Sequence, residues 1–222
     1  MFFIFDWDGT LCDSTPKIVR SMQRASTKVG LPVLSDEEVL EIIGLGLPEA
    51  IAQLYPGVLT EQALALRVAY SECFLLDDAT PSLLFDGVEE TLHTLRDQGF
   101  PLSVATGKSR RGLNRVLEQM GMTGFFHASR CADETASKPD PRMLNELLSE
   151  LRHHPEKALM VGDTEYDMAM AQNASVGRVA VSYGAHHIDR LKAYKPVLCI
   201  DQFNQILTLV SGGDSVASNI KV

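Results

Sequence analysis

The feature that most restricts what this chain can fold into is an apolar run that does not alternate and stops abruptly: Phe2-Phe3-Ile4-Phe5 gives way at once to Asp6-Trp7-Asp8-Gly9-Thr10. A strand with one face in water alternates polar and apolar residues, whereas a strand buried on both faces reads as an unbroken apolar run. The signature recurs at Leu102 to Ala105, Ala158 to Val161, Val179 to Val181 and Val197 to Ile200. Between these runs apolar residues take helical spacing. Val88, Leu92 and Leu95 share one face ahead of Gly99, and Leu113, Val116, Leu117 and Met120 share another ahead of Gly121, with Ser109 placed as an N-terminal cap. Strands alternating with helices predict an α/β fold: a doubly wound, mostly parallel sheet with a Rossmann-like core, covered on both faces. Ligands of such sheets bind beyond the carboxyl ends of the strands, so the polar residues just after each apolar run are the ones to inspect.

One stretch breaks the alternation. Residues 14–81 carry helical patterns at Ile18 to Val29, Asp36 to Ile43, Pro48 to Leu54 and Thr60 to Leu76, and no convincing strand. A crossover between parallel strands needs only about a dozen residues or more. The surplus predicts an inserted all-helical subdomain, with 1–13 and 82–222 forming the α/β core and the chain crossing near Cys12 to Thr15 and Thr80 to Phe85. The last segment, Ser211 to Val222, is rich in Ser and Gly and reads as a frayed tail.

The polar clusters carry the chemistry. Asp6 and Asp8 follow the first run, Thr106-Gly107-Lys108 follows the second, Lys138-Pro139 precedes a helix, and Gly162-Asp163 follows the third run with Asp167 four residues on. Gathered at one sheet edge, these carboxylates repel by about 4 kcal/mol per pair at about 4 Å and an effective dielectric near 20. A divalent cation removes that cost, and an all-oxygen site with few protein ligands suits Mg²⁺. Asp6 and Asp163 are the candidate direct ligands, and Asp167 is placed to hold a metal-bound water or to orient Lys138. Thr106 offers a hydroxyl, Gly107 exposes backbone N–H groups at a helix start and Lys138 supplies a cation, which together suit a phosphoryl group. Attack on phosphorus by the Asp6 carboxylate splits one hard step into two. Asp8, on the same side of an extended segment, is placed to protonate the leaving oxygen and then to deprotonate a water.

The net charge of −9 repels nucleic acid and anionic membranes, so neither is an expected partner. An anionic small substrate therefore needs the local positive charge of these clusters. The cysteines Cys12, Cys73, Cys131 and Cys199 are scattered without a C-x-x-C pair, which argues against zinc and a disulfide framework and for a reduced, cytoplasmic setting. The apolar run ending at Asp6 is too short for a signal peptide or membrane span. A monomer or weak dimer is expected.

The four clusters resemble the four motifs of the haloacid dehalogenase-like hydrolases, and within them the phosphoglycolate phosphatase-like branch. Asp6-Trp7-Asp8-Gly9-Thr10-Leu11 is similar to the first motif, Thr106 to the second, Lys138 to the third, and Gly162-Asp163 with Asp167 to the fourth, over nearly the whole chain. The resemblance implies a phosphoric monoester hydrolase with Asp6 as nucleophile, Asp8 as acid/base and backbone metal ligand, Thr106 and Lys138 as phosphate binders, Asp163 as metal ligand, and 14–81 as a helical cap. It also suggests that the turn Gly44-Leu45-Gly46-Leu47-Pro48 faces the active site, which makes Leu45 and Leu47 the specificity candidates.

Singly, each residue has a plainer reading: Asp8-Gly9 as a turn, Lys138-Pro139 as a solvated lysine before a helix, Asp163-Thr164 as a helix cap. Only their combination points to catalysis. His153-His154 reads as a favourable charge at a helix end. His186-His187 reads as a surface loop, with substrate contact as the alternative. Arg20 and Arg24 read as a solvated helix face, with reach to the substrate as the alternative. Among rival activities, a dehalogenase has no need of Asp8, and a phosphonatase needs a cap lysine where none occurs between Lys28 and Lys108. A hexose-phosphate mutase shares all four motifs, but the turn from Gly44 to Pro48 offers no charge for a second phosphate. A phospho-accepting signalling domain would carry its acceptor on a central strand, not at residue 6, and has no use for the insert. The expected substrate is a small phosphorylated metabolite.

Overall fold

The computed structural model describes residues 1–76 and 82–211. In chain order the elements are β1 (Phe2–Phe5), β2 (Cys12–Asp13), α1 (Thr15–Lys28), α2 (Asp36–Leu40), α3 (Leu47–Leu54), α4 (Thr60–Leu76), β3 (Leu83–Leu84), α5 (Val88–Asp97), β4 (Leu102–Thr106), α6 (Arg110–Gln119), β5 (Ala128–Cys131), α7 (Arg142–Glu150), β6 (Ala158–Gly162), α8 (Glu165–Asn173), β7 (Gly177–Val181), α9 (Ile188–Lys192), β8 (Leu198–Ile200) and α10 (Thr208–Ser211). Six strands form one sheet in the order β5-β4-β1-β6-β7-β8, every pair parallel.

The unbroken apolar runs are explained by two buried faces. Phe3 and Phe5 of β1 join Val104, Val161, Leu92 and Leu113 in one layer, while Phe2 and Ile4 point the other way into Met143, Leu147, Met160 and Met170. From β1 the chain runs outward through β4 and β5 and then returns to β6 on the opposite side of β1. This reversal opens a crevice at the carboxyl end of β1. The first strand in sequence is thus central in space, so the position of residue 6 is no argument against a phospho-accepting domain; the argument from the helical insert stands without it. β5 escaped the sequence reading because its Ala-Ser-Arg-Cys run is buried only at its two ends, as an edge strand allows.

Residues 15–76 form helices α1 to α4, with a hydrophobic cluster of their own that includes Ile18, Met22, Val39, Ile51, Leu66 and Cys73. Ser35 and Glu38 close a capping box at the start of α2. That helix ends at Leu40, short of the Ile43 expected from its pattern, because Ile42 N–H and Ile43 N–H bond back three residues, to Val39 and Leu40. Gly44, at φ +100°, then turns the chain towards the core. On the core side the two crossings lie side by side, with Cys12 and Asp13 pairing antiparallel to Leu84 and Leu83. Thr80 and Pro81 of the second crossing lie outside the described residues, as does the tail apart from Ser211, which ends α10.

His153 is no terminus charge. Its ring stacks on Phe2 with centroids 5.1 Å apart, and burial, with help from the N-terminal ammonium, pushes its pKa below the ordinary histidine value. No helix among the described residues is long and apolar enough to cross a membrane.

Candidate active site

Asp6, Thr106 and Asp163 follow or end the adjacent strands β1, β4 and β6, and Lys138 reaches them from the loop before α7. Asp6, Thr106, Lys138, Asp163 and Asp167 are all buried to within 1% of complete. Lys138 Nζ lies 2.6 Å from Asp6 Oδ1 and 2.7 Å from Asp167 Oδ1. Asp167 Oδ2 accepts from the Thr164 hydroxyl at 2.7 Å, in a capping box that starts α8. Asp163 is held by the Thr10 hydroxyl on Oδ1 and the Ala185 N–H on Oδ2, both at 2.7 Å. Gly9, at φ +84°, makes this possible, since a Cβ there would stand 2.2 Å from Asp163 Oδ2.

Electrostatically the cluster is out of balance. Burial lifts the Asp6 carboxyl well above the usual carboxylate range, and the charges of Asp167 and Asp163 add to the lift while Lys138 opposes it. Burial likewise raises Asp163, to about 7, with the Asp167 charge adding. Burial works against the Lys138 ammonium, yet Asp167 and Asp6 together hold it above the ordinary lysine range. When ionised, three carboxylates facing one ammonium leave an excess of two negative charges. Carboxylate oxygens of Asp6, Asp163 and Asp167 lie within 4.8 Å of one another, and Asp6 Oδ2 is buried with no hydrogen-bond partner. This donor set fits one hard divalent cation.

Asp8 sits apart from that cluster, 9% exposed. Its Oδ1 accepts from Ser14 Oγ at 2.6 Å and from Lys108 Nζ at 2.9 Å. Lys108 follows Thr106-Gly107, and its N–H bonds Thr106 Oγ1 at 3.1 Å. Sequence reasoning assigned Lys108 and Ser14 no role. The position of Lys108 directly behind a strand-end motif was a usable signal, whereas nothing marked Ser14.

A cavity of about 360 Å³ opens above these groups, lined by Asp6, Asp8, Thr106, Gly107 and Lys108 from the core and by Leu45 and Leu47 from the helical segment. The turn from Gly44 to Pro48 therefore faces the site. Leu45 and Gly44 carbonyls lie so near Gly107 that a Cβ there would stand 2.3 and 2.5 Å from them. Arg20 and Arg24 are exposed and do not line the cavity. Neither do His186 and His187. His186 is buried, against the surface-loop reading: its Nδ1 accepts from Glu165 N–H at 3.1 Å, and its ring lies against Tyr166. His187 is exposed and caps α9. Around them Arg190 pairs with Glu41 at 2.6 Å and with Glu165, and Tyr166 donates to the Glu41 carbonyl at 2.9 Å, tying α2 to the core.

The model of the haloacid dehalogenase-like hydrolase family matches residues 3–181. Among similar proteins, the "Probable phosphatase IndB" of Dickeya dadantii is 32% identical over 92% of this chain and 90% of its own length. The phosphoglycolate phosphatase of Vibrio cholerae is 31% identical over 93% and 95%. A crystal structure of a Haemophilus somnus protein described as a predicted phosphoglycolate phosphatase superposes with a TM-score of 0.86 at 25% identity, covering 94% of this chain and 97% of that one. The chain belongs to the haloacid dehalogenase-like hydrolases and, within them, to the phosphoglycolate phosphatase-like branch of phosphoric monoester hydrolases.

Proposed function

We propose that the protein is a Mg²⁺-dependent phosphatase that hydrolyses a small-molecule phosphate monoester through an aspartyl-phosphate on Asp6. The observation that carries this reading is the buried Asp6 carboxylate, with one oxygen on Lys138 and the other unpartnered beside Asp163 and Asp167. Asp6, Asp163 and the Asp8 backbone carbonyl would hold Mg²⁺, with Asp167 fixing Lys138; the ion supplies charge neutralisation for the phosphoryl oxygens. Asp6 attacks phosphorus, the bond to the leaving oxygen breaks, and Asp8 gives that oxygen a proton. A water then attacks the aspartyl-phosphate, Asp8 takes its proton, and Asp6 is freed. Thr106, the Gly107 N–H and Lys138 steady the phosphoryl group, and helices α1 to α4 act as a cap that covers the leaving group and excludes water.

Phosphate release measured over a panel of small phosphorylated metabolites, in Mg²⁺ and in EDTA, tests the proposal. Multiple turnovers lost in EDTA and restored by Mg²⁺ are expected; undiminished turnover in EDTA would overturn the metal assignment.

A further inference from the structure

The core side of the cavity fixes the phosphoryl group, and the helical side meets whatever carries it. Twelve of the residues lining the cavity come from the helical segment, and none of those twelve is charged. Ile18, Met22, Ile42 and Leu47 are aliphatic, and Tyr70 and Phe74 of α4 stand with ring centroids 6.0 Å apart at 37°. Phe74 is fixed in turn by the Lys17 and Lys108 ammonium groups, 4.5 and 5.0 Å from its ring centre. Burial and the nearby Asp8 charge push the Tyr70 phenol upward, so its hydroxyl keeps its proton. The cations that line the cavity, Lys108, Arg111 and Arg115, all belong to the core side.

A two-carbon acid phosphate fits this lining poorly. Where its carboxylate meets the helical side it would face aliphatic side chains, with the three cations of the cavity on the opposite wall, and burying a charge without a partner is costly. Its few atoms would also leave unfilled a cavity that lies within the range of pockets holding drug-sized ligands. An apolar ring would gain both from burial and from edge or offset contact with Tyr70 and Phe74. We infer that the preferred substrate is the phosphate monoester of a ring-bearing, largely apolar alcohol. This rests on the phosphatase reading above and narrows it.

The test compares benzyl phosphate with phosphoglycolate as substrates of the full chain in Mg²⁺. Both are primary alkyl phosphates, so the comparison reports chiefly on how the cavity receives the leaving group. The expected result is a kcat/KM at least tenfold higher for benzyl phosphate, with Leu47→Arg moving the ratio at least tenfold towards phosphoglycolate and Leu47→Met leaving the preference for benzyl phosphate in place. A wild-type preference for phosphoglycolate overturns the inference, as does a ratio that Leu47→Arg does not move in a variant with native circular dichroism. Acetyl phosphate, whose small activated leaving group makes little demand on the helical side, serves as the control. Its magnesium-dependent hydrolysis alongside a failed preference sinks the inference alone, whereas no hydrolysis of any of the three sinks the phosphatase reading with it.

Discussion

The two walls of the cavity are made of opposite materials. The core wall concentrates charge in a dry setting, where each group is held by named partners: Lys138 between Asp6 and Asp167, Asp163 between Thr10 and Ala185, Asp8 between Ser14 and Lys108. The helical wall is uncharged among the described residues and owes its shape to apolar packing. Charge placed to within a fraction of an ångström suits bond-making, while an apolar surface can be reshaped by exchanging one side chain for another. Damage to the core wall should therefore abolish the reaction, and changes to the helical wall should redirect it.

The largest expected effect is at Asp6. Asp6→Asn should lower kcat by on the order of 10⁴ or more while the circular dichroism spectrum stays native, because an amide is no substitute for the attacking carboxylate. Residual turnover within tenfold of wild type in a folded variant would refute covalent catalysis. Next is Lys138→Met, which leaves Asp6 and Asp167 buried without their cation. It should cost about 3–5 kcal/mol in urea unfolding as well as activity; an unchanged unfolding midpoint would mean that Lys138 is not the counter-charge its position indicates.

A smaller effect is expected from pH and metal together. Asp163 and Asp6 are raised in the folded protein above their unfolded values near about 4. Folding therefore favours their protonated forms, and the metal-free protein should lose stability as pH rises from about 4 through about 7. Mg²⁺ binds the ionised carboxylates, so the rise in Tm on adding it should be larger at pH 8 than at pH 5. An equal rise at both values would contradict the cluster's role. The smallest effect belongs to the junction of the two walls: Glu41→Gln weakens the partly exposed pair with Arg190 and should cost no more than about 1 kcal/mol. A loss of several kcal/mol on urea unfolding would show that the helices are held to the core far more tightly than their polar contacts suggest.

The same contrast decides what could be read from the sequence. β1, β4 and β6 were legible because burial on both faces leaves an unbroken apolar run, and Asp6, Thr106 and Asp163 because they stand where those runs stop. β5 was not, since an edge strand needs no such run. Tyr70 and Phe74 were invisible for a related reason: α4 is apolar around much of its circumference, with Leu64, Val68 and Leu76 exposed, so no face of it announces a cavity. His186 misled because a loop position was taken for exposure, while its ring is in fact covered by Tyr166 and bonded to the Glu165 N–H.

The two-residue pairing of β2 with β3 has a consequence for how such a chain can change over time. Because Cys12 and Asp13 leave the core beside Leu84 and Leu83, the gap to be bridged is one strand spacing, about 4.8 Å. A bridge that short needs no more than a tight turn of about two residues and sets no upper bound on the length of chain between its ends. The intervening segment can grow, shrink or be exchanged for an unrelated one without rethreading a single strand of the sheet. On the proposed reading, the catalytic apparatus would act as a fixed socket, and substrate choice as an interchangeable fitting.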